Sequence, residues 1–190
     1  MSPVVTKNGS SLQIILPKSI CESEGIEAGD HVSIRTSDKG ILIWPREKRN
    51  EAFTIGYEGR TTESFITKLQ SKGIKQVIDV REIPLSRKKG FSKNTLAEAL
   101  ALEGIGYVHM PKLGSPKAIR DEYKAGGSPE NFFQEYSDYV EGQQEELMKL
   151  LQLILGKKSA LMCFEESHKD CHRSILAKKL NEENIVFTHI

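Results

Sequence analysis

The chain has 190 residues, with 27 basic and 26 acidic side chains, a formal net charge of +1 and 38% hydrophobic residues. Domains usually have about 100–150 residues, so this length allows one domain and a smaller module. The balanced charge excludes a polybasic coat and a disordered charged tail, and any nucleic-acid contact must come from a local patch. Apolar runs stay short of the roughly 20 residues of a membrane span, and the start "MSPVVTKNG" has no hydrophobic signal segment. We therefore expect a cytoplasmic protein.

The first 48 residues have the pattern of a small β-rich module. The segment "VVTKNGSS" leads through an Asn-Gly turn into the β-rich run "LQIIL", and "HVSIRTSDKGILIWP" predicts a hairpin that turns at residues 38–40. Between them, Pro17 and Gly25 bracket a short helix. Because a module of this size buries little interior of its own and usually oligomerises, we predict a homodimer through residues 1–48.

Two runs of this module, "TKNGSSLQIILPKSI" and "GIEAGDHVSI", resemble the swapped-hairpin domains of the SpoVT/AbrB and MazE-type families. The resemblance implies a dimer that binds DNA. Residues 1–48 carry six basic and six acidic side chains, so a DNA-binding face must concentrate the positive charge. The candidates are Lys7, Lys18 and Arg35. The alternative is a module that only dimerises, with these side chains as solvated surface.

A linker and a change of pattern follow. Residues 45–51, "PREKRNE", hold Pro45 and five charged side chains, which places a boundary there and a second domain at residues 52–190. Strands are then predicted at "FTIGYEG", "KQVIDVR", "GYVHMP", "SALMCFE" and "IVFTHI". Helices are predicted at "TTESFITKLQSKGI", "SKNTLAEALALEGI" and "CHRSILAKKLNEE", and one or two helices at "PENFFQEYSDYVEGQQEELMKLLQLILG", with a loop before residue 129. This alternation predicts an α/β domain with a largely parallel sheet.

Polar residues follow the predicted strands where each one ends. In open parallel sheets, ligands bind beyond the carboxyl ends of the strands, where loops meet helix N-termini. We therefore expect one rim to gather Tyr57, Asp79, Arg81, His109, Cys163, Glu165 and Glu166. No residue of this set decides a function alone, since a strand-end carboxylate or a lone histidine often has only a structural role.

The loop "REIPLSRKKGFSK", residues 81–93, has a local net charge of +4 in a chain whose total is +1. Its cations include Arg81, Arg87, Lys88 and Lys89. Guanidinium and ammonium groups beside a helix N-terminus suit a phosphate, and Phe91 offers a stacking face for a base. The alternative is a solvated loop.

The same segments carry a second resemblance. The runs "TIGYEGRTTESFITKL", "IDVREIPLSRKKGFSKNTLAEALALEGIGYVHMPKLG" and "LMCFEESHKDCHRSILAKKL" are similar to the landmarks of the domain-of-unknown-function 488 family. The likeness covers about residues 53–190. It implies the fold and the place of the site, but no reaction, because the family is named for having none assigned. Tyr57-Glu58-Gly59 stands where His-Ser is common in that family.

The stretch 163–173, "CFEESHKDCHR", is open to several interpretations. A disulfide is disfavoured, because the chain has three cysteines and a reducing cytosol keeps thiols free. Zinc would take Cys163, Cys171 and His172, with His109 or His168. A seven-residue gap between the cysteines is not a zinc knuckle, and adjacent residues of a helix point about 100° apart. We therefore predict no metal and no cofactor.

Two functional interpretations of this stretch remain, beside cysteines that only pack the core. In the first, Cys171 at a helix start is a nucleophile, and the catalytic set is Cys171, His172, Glu165, Asp79 and His109. In the second, which we favour, a helix N-terminus with Arg173 and His172 meets the basic loop around an anion. Its binding set is Arg81, Arg87, Lys88, Lys89, Arg173 and Tyr57, and Glu165 and Glu166 are candidates for a base or a ribose contact.

The sequence therefore predicts a DNA-binding regulator or antitoxin-like protein, whose α/β domain binds a phosphate-bearing ligand, a nucleotide or a nucleic acid. Two alternatives stay open. One is an enzyme acting on nucleic acid or nucleotide, with the N-terminal module for targeting or dimerisation. The other is a dimeric scaffold without catalysis.

Overall fold

The computed structural model of the protein describes residues 5–30, 32–37, 40–45, 50–183 and 185–190. The chain forms two compact units that divide between Arg49 and Asn50. Residues 46–49 of the predicted linker lie outside the described residues. No helix within the described ranges combines the length and the apolar character that crossing a membrane requires.

The N-terminal unit contains two antiparallel hairpins with a short helix between them in the chain. Its elements are β1 (Val5–Asn8), β2 (Ser11–Ile14), α1 (Lys18–Glu24), β3 (Val32–Ser37) and β4 (Gly40–Pro45). Pro17 precedes α1, and Gly25 ends it in the left-handed region with a φ of 64°, as the sequence predicts. Residues 38 and 39 of the predicted second turn lie outside the described part of the chain.

The described part of this unit exposes much of its apolar surface. Strands β1 and β2 are exposed along their whole length, and none of the residues Lys18–Glu24 is buried. The large apolar side chains exposed in the single chain include Val5, Leu12, Ile14, Ile15 and Ile20. Apolar surface of this extent on so small a unit is typical of a module that is completed by a partner surface.

The C-terminal unit is an α/β domain built on one parallel sheet. Its strands are β5 (Asn50–Gly56), β6 (Gln76–Asp79), β7 (Gly106–His109), β8 (Ser159–Cys163) and β9 (Ile185–His189). Its helices are α2 (Thr62–Ser71), α3 (Lys93–Leu102), α4 (Lys117–Lys124), α5 (Pro129–Glu141), α6 (Gln144–Gly156) and α7 (Arg173–Asn181), with single 3-10 turns at Pro111–Leu113 and His168–Asp170. The strand order is β7-β6-β8-β5-β9, and every neighbouring pair is parallel. The predicted fold class is confirmed.

Helices cover both faces of this sheet. Val77 and Ile78 of β6 belong to different apolar clusters, because consecutive strand side chains point to opposite faces. Phe65 of α2 and Leu96 of α3 pack in the cluster of Val77, and Tyr136 of α5 packs in the cluster of Ile78. Burial on both faces explains why the strands read as apolar runs rather than as alternating ones.

One element differs from the prediction. Helix α4 occupies residues 117–124, where the sequence indicates a loop. None of its residues is buried, and its apolar stripe is short, with Ile119 and Tyr123 one turn apart. Its signals are Pro116 before the first residue and the ion pair of Lys117 with Asp121 one turn later. This difference matters because α4 forms a wall of the cavity described below.

Two glycines allow close backbone contacts at the carboxyl edge of the sheet. A Cβ atom on Gly56 would lie 1.8 Å from the carbonyl oxygen of Glu165, and one on Gly114 would lie 2.0 Å from the backbone nitrogen of Glu82. Only glycine allows backbones to approach this closely. The two contacts bring the segments after β6 and β8 against their neighbours, and these segments carry the candidate site.

Candidate functional site

A cavity of about 750 Å³ lies at the carboxyl edge of the parallel sheet. Its lining includes Tyr57 after β5, the segment 81–88 after β6, Cys163 and Glu165 at the end of β8, His172 before α7 and one side of α4. Its position agrees with the rule that open parallel sheets bind ligands beyond their strand ends. The size is that of a small-molecule site.

Arg81 anchors one wall of this cavity through a buried ion pair. The side chains of Arg81 and Asp79 are 6% and 0% exposed, and Arg81 Nη2 lies 2.5 Å from Asp79 Oδ2. Arg81 Nη1 also donates to Tyr57 Oη at 3.0 Å and to the Phe91 carbonyl at 2.9 Å. The Tyr57 ring stacks on Phe91 with the ring centres 4.5 Å apart. Arg81 therefore positions the basic loop, and Asp79 neutralises the charge of Arg81.

Asp79 and His109, two members of the predicted catalytic set, belong to this network. The Tyr107 hydroxyl donates to Asp79 Oδ2 at 2.5 Å, and burial together with the Asp79 charge raises the pKa of Tyr107. His109 Nε2 bonds to the backbone carbonyl of Arg81 at 2.9 Å. Neither Asp79 nor His109 lines the cavity. The structure gives both residues contacts that hold Arg81 in place.

Besides Arg81, the basic loop presents two cations to the cavity. Arg87 and Lys88 line it, and Lys88 Nζ donates to the Tyr57 carbonyl at 3.1 Å. Ser92, at the N-cap position of α3, turns its hydroxyl towards Ser86 rather than towards the helix, which ties the two ends of the loop together. Lys89 is exposed and does not line the cavity.

The α4 wall adds residues that the sequence did not single out. Arg120 Nη2 lies 2.6 Å from Glu82 Oε2, and Arg120 also donates to the Ser115 carbonyl. Tyr123 and Lys124 line the cavity beside them. The Ser115 side chain lines it too, is 1% exposed, and its hydroxyl has no hydrogen-bond partner among the described residues. A buried hydroxyl without a partner is uncommon in folded proteins.

The floor of the cavity carries a cluster of sulfur and nitrogen donors. Cys163 Sγ and Cys171 Sγ each lie 3.8 Å from His172 Nδ1, and the three atoms are all within 4.8 Å of one another. His172 Nε2 bonds to the Val80 carbonyl at 2.9 Å. Cys163 Sγ also donates to Glu165 Oε2 at 3.2 Å. Cys163 and His172 line the cavity, whereas Cys171 is 1% exposed and lies behind them.

The groups of this cluster shift one another's pKa values. Burial alone would raise the pKa of Cys171, but the Cys163 hydrogen bond and the charges of His172 and Arg173 lower it well below its ordinary value. A hydrogen bond with Cys171 and burial raise the pKa of Cys163. Burial, reinforced by Cys171, raises the pKa of Glu165 to about 6. The cluster thus favours one thiolate, on Cys171, with a thiol and a carboxyl group beside it.

Arg173 lies behind this cluster rather than at the rim. It is 1% exposed, and its Nη1 and Nη2 donate to the backbone carbonyls of Glu165 and Glu166 at 2.7 and 2.8 Å. The guanidinium group therefore fixes the turn after β8 and does not line the cavity. Glu166 is exposed, and its backbone N–H donates to Glu58 Oε2 at 3.1 Å. Arg81 Nε, Nη1 and Nη2 and Arg173 Nη1 and Nη2 all donate to protein groups, whereas the buried Arg173 Nε has no hydrogen-bond partner among the described residues.

Three predicted DNA contacts belong to the N-terminal unit. Lys7 on β1 is exposed. Lys18, the first residue of α1, is 89% exposed and lies 3.5 Å from Glu22. The side chain of Arg35 lies outside the described part of the structure.

The fold and the cavity define a two-unit protein, in which an antiparallel hairpin module precedes a parallel α/β domain with a partly basic cavity. Residues 61–180, more than half of the chain, match the family described as Domain of unknown function DUF488, and the chain belongs to that family. Residues 5–51 match the family described as Antidote-toxin recognition MazE, bacterial antitoxin. Both resemblances are confirmed, and the N-terminal match supports a regulatory or antitoxin-like role. Comparison with curated proteins and with solved structures gave no match.

Proposed function

We propose that this protein is a cytoplasmic, dimeric DNA-binding regulator of the antitoxin-like kind, whose α/β domain binds a phosphate-bearing ligand of the nucleotide class. The observation that carries the ligand half of the proposal is the cavity at the strand ends, which combines cations, aromatic rings and a buried unpartnered hydroxyl. The family match of residues 5–51 supports the DNA-binding half.

The exposed apolar side chains of the N-terminal unit support a dimer. Leu12 is 77% exposed and Ile15 is 68% exposed in the single chain. A second copy of the same hairpin supplies the matching apolar surface, since two identical patches cover each other across a two-fold axis. Dimerisation also doubles the number of lysines available to a duplex, and with it the number of phosphates that they can neutralise.

Changing both Lys7 and Lys18 to Ala is expected to weaken duplex binding at least about tenfold and to flatten its salt dependence, by about one unit of slope for each phosphate that is no longer neutralised. The measurement is a fluorescence anisotropy titration of a labelled duplex at several salt concentrations. The matched control changes Lys72 and Lys75, two exposed lysines of the α/β domain, to Ala.

That control variant is expected to bind like the wild type, because its lysines lie in the other unit. Light scattering of the same samples should give dimers for both variants, and a monomer without duplex binding for Leu12→Asp. A monomeric wild type, or equally weakened binding in the two lysine variants, would contradict this half of the proposal.

The chemistry of the cavity lining favours a ligand with an anionic end and a planar end. Among the described residues, Arg87, Lys88 and Lys124 form no ion pair, whereas Arg120 is paired with Glu82. The Phe164 ring is 42% exposed in the same lining and lies in edge contact with the buried Tyr57 ring, with the ring centres 5.3 Å apart. Phosphate oxygens suit these cations, and a base suits the Phe164 ring. The acidic residues Glu165 and Asp170, which also line the cavity, are positioned to accept hydrogen bonds from amino or hydroxyl groups.

Calorimetric titration with AMP is expected to show binding that falls at least about tenfold when Arg87 and Lys124 are both changed to Ala, since each charge-assisted hydrogen bond contributes about 1.5–3 kcal/mol. Adenosine and inorganic phosphate serve as the two half-ligands, and both should bind more weakly than AMP. The matched control is Lys89→Ala in the same loop, which should leave the affinity unchanged because Lys89 does not line the cavity. Equal binding of AMP and adenosine would contradict the phosphate site.

A further inference from the structure

The sulfur and nitrogen donors at the cavity floor have the spacing of metal ligands. In a tetrahedral zinc site with Zn–S near about 2.3 Å and Zn–N near about 2.0 Å, the sulfur and nitrogen atoms are about 3.6 Å apart. Both sulfur atoms, of Cys163 and Cys171, lie 3.8 Å from His172 Nδ1. Both sulfur–nitrogen distances therefore fit ligands of one tetrahedral ion, and the three atoms all lie within 4.8 Å of one another.

The histidine is oriented as metal ligands are. A carbonyl oxygen only accepts hydrogen bonds, so the contact of His172 Nε2 with the Val80 carbonyl at 2.9 Å places the proton of the neutral ring on Nε2. Nδ1 then directs its lone pair towards the two sulfur atoms. A backbone carbonyl on the remote nitrogen is the usual outer contact of a metal-binding histidine. The Tyr136 ring, 5.0 Å away in edge contact, holds the imidazole in this orientation.

The backbone at Cys171 and His172 is not the one on which the exclusion of zinc depends. Two neighbouring helical residues would point about 100° apart. Cys171 is extended, with φ −131° and ψ 138°, and the helical conformation begins only at His172, with φ −54° and ψ −22°. The bend between them turns both side chains to the same point. Cys163 is distant from Cys171 in sequence but not in space, because it is the last residue of strand β8 and its sulfur lies beside His172.

We propose that Cys163, Cys171 and His172 bind one Zn²⁺ ion, with the fourth coordination position facing the cavity. Two thiolates and an imidazole form a donor set that zinc prefers, and a Cys₂His set with an open position is one of the known zinc arrangements. The open position follows from the lining, since Cys163 and His172 reach the cavity while Cys171 lies behind them. This site does not depend on the phosphate ligand proposed above.

The test is metal titration of the full-length, tag-free protein after treatment with a chelator. Wild-type protein is expected to bind one Co²⁺ per chain, with thiolate-to-cobalt charge-transfer absorption and the visible bands of a tetrahedral ion, and Zn²⁺ should displace it. Cys163→Ser, Cys171→Ser and His172→Ala should each weaken binding at least about 100-fold. The matched control is Cys21→Ser, which removes the chain's third cysteine, in the N-terminal unit, and should keep full stoichiometry.

A wild-type measurement keeps the test independent of whether a variant folds. Zinc should protect two of the three thiols from alkylation, and mass mapping should locate that protection at Cys163 and Cys171. Glu165→Gln should keep one Co²⁺ per chain, because Glu165 is not among the three ligands. Absence of cobalt charge-transfer absorption in the wild type, its persistence in Cys171→Ser, or protection of neither thiol would overturn the site. Loss of the metal in Glu165→Gln would overturn the open fourth position.

Discussion

Replacing Arg81 with methionine is expected to lower the free energy of unfolding by about 3–5 kcal/mol, the cost of leaving a buried charge without its partner. The Asp79 carboxylate is fully buried and accepts hydrogen bonds from Arg81 Nε, from Arg81 Nη2 and from the Tyr107 hydroxyl. Methionine retains most of the apolar volume. The Asp79 carboxylate then keeps only two hydrogen-bond donors, the Tyr107 hydroxyl and the backbone N–H of residue 81. Urea unfolding at one protein concentration measures the difference.

The spectroscopic signal that follows unfolding has to come from the α/β domain, which contains Arg81. The single tryptophan, Trp44, lies in the N-terminal unit, so far-ultraviolet circular dichroism is the better probe. The control variant is Lys149→Met on α6, whose ammonium group lies 2.7 Å from Glu145 at the surface. An exposed pair of this kind contributes at most about 1 kcal/mol. The double variant Asp79→Asn with Arg81→Met should recover part of the stability, because it removes the stranded charge.

Equal stability of the Arg81→Met and Lys149→Met proteins would show that the buried pair does not hold the loop after β6. The ligand proposal would then also weaken. Arg87 and Lys88 reach the cavity from that loop, whose base is fixed by Arg81 through Tyr57 and the Phe91 carbonyl.

Local rules were sufficient to predict most of the elements, because most of them carry their own signal. Pro17 and Gly25 mark the two ends of α1, and the apolar runs that become β6 and β8 are buried on both faces. Helix α4 was missed for the opposite reason. It lies on the surface with no buried residue, so its contribution to the cavity comes from tertiary position and not from pattern.

The position of the candidate site was predictable from the sequence, but the role of each residue in it was not. Strand ends predict where polar side chains gather, and Tyr57, Arg81, Cys163 and Glu165 all line the cavity. Sequence does not show which cations are already occupied by backbone carbonyls, as Arg173 is by two of them. Nor does it show that the second residue before α7 is extended, which is what turns Cys171 towards His172.

Gly56→Ala is expected to destabilise the α/β domain by about 1–3 kcal/mol or more, the range for overpacking a rigid site. The added Cβ would lie 1.8 Å from the Glu165 carbonyl oxygen and 2.8 Å from Glu166 Cα, so backbone has to move. That backbone is held from the other side, because Tyr57 and Glu58 donate their N–H groups to the Phe164 carbonyl at 3.1 and 2.8 Å. Relief of the clash therefore breaks hydrogen bonds at the cavity floor.

The matched control for this variant is Gly156→Ala at the end of α6, where the added Cβ meets no heavy atom within 4 Å. There the reduced backbone freedom of the unfolded chain should leave stability unchanged or raise it by up to about 1 kcal/mol. Urea unfolding of the two proteins separates the steric clash from the general effect of a glycine replacement. If Gly56→Ala unfolds at the same urea concentration as Gly156→Ala, the turn after β8 can move away from β5. The close donor spacing of Cys163, Cys171 and His172 would then not be imposed by the packing of Gly56 on Glu165.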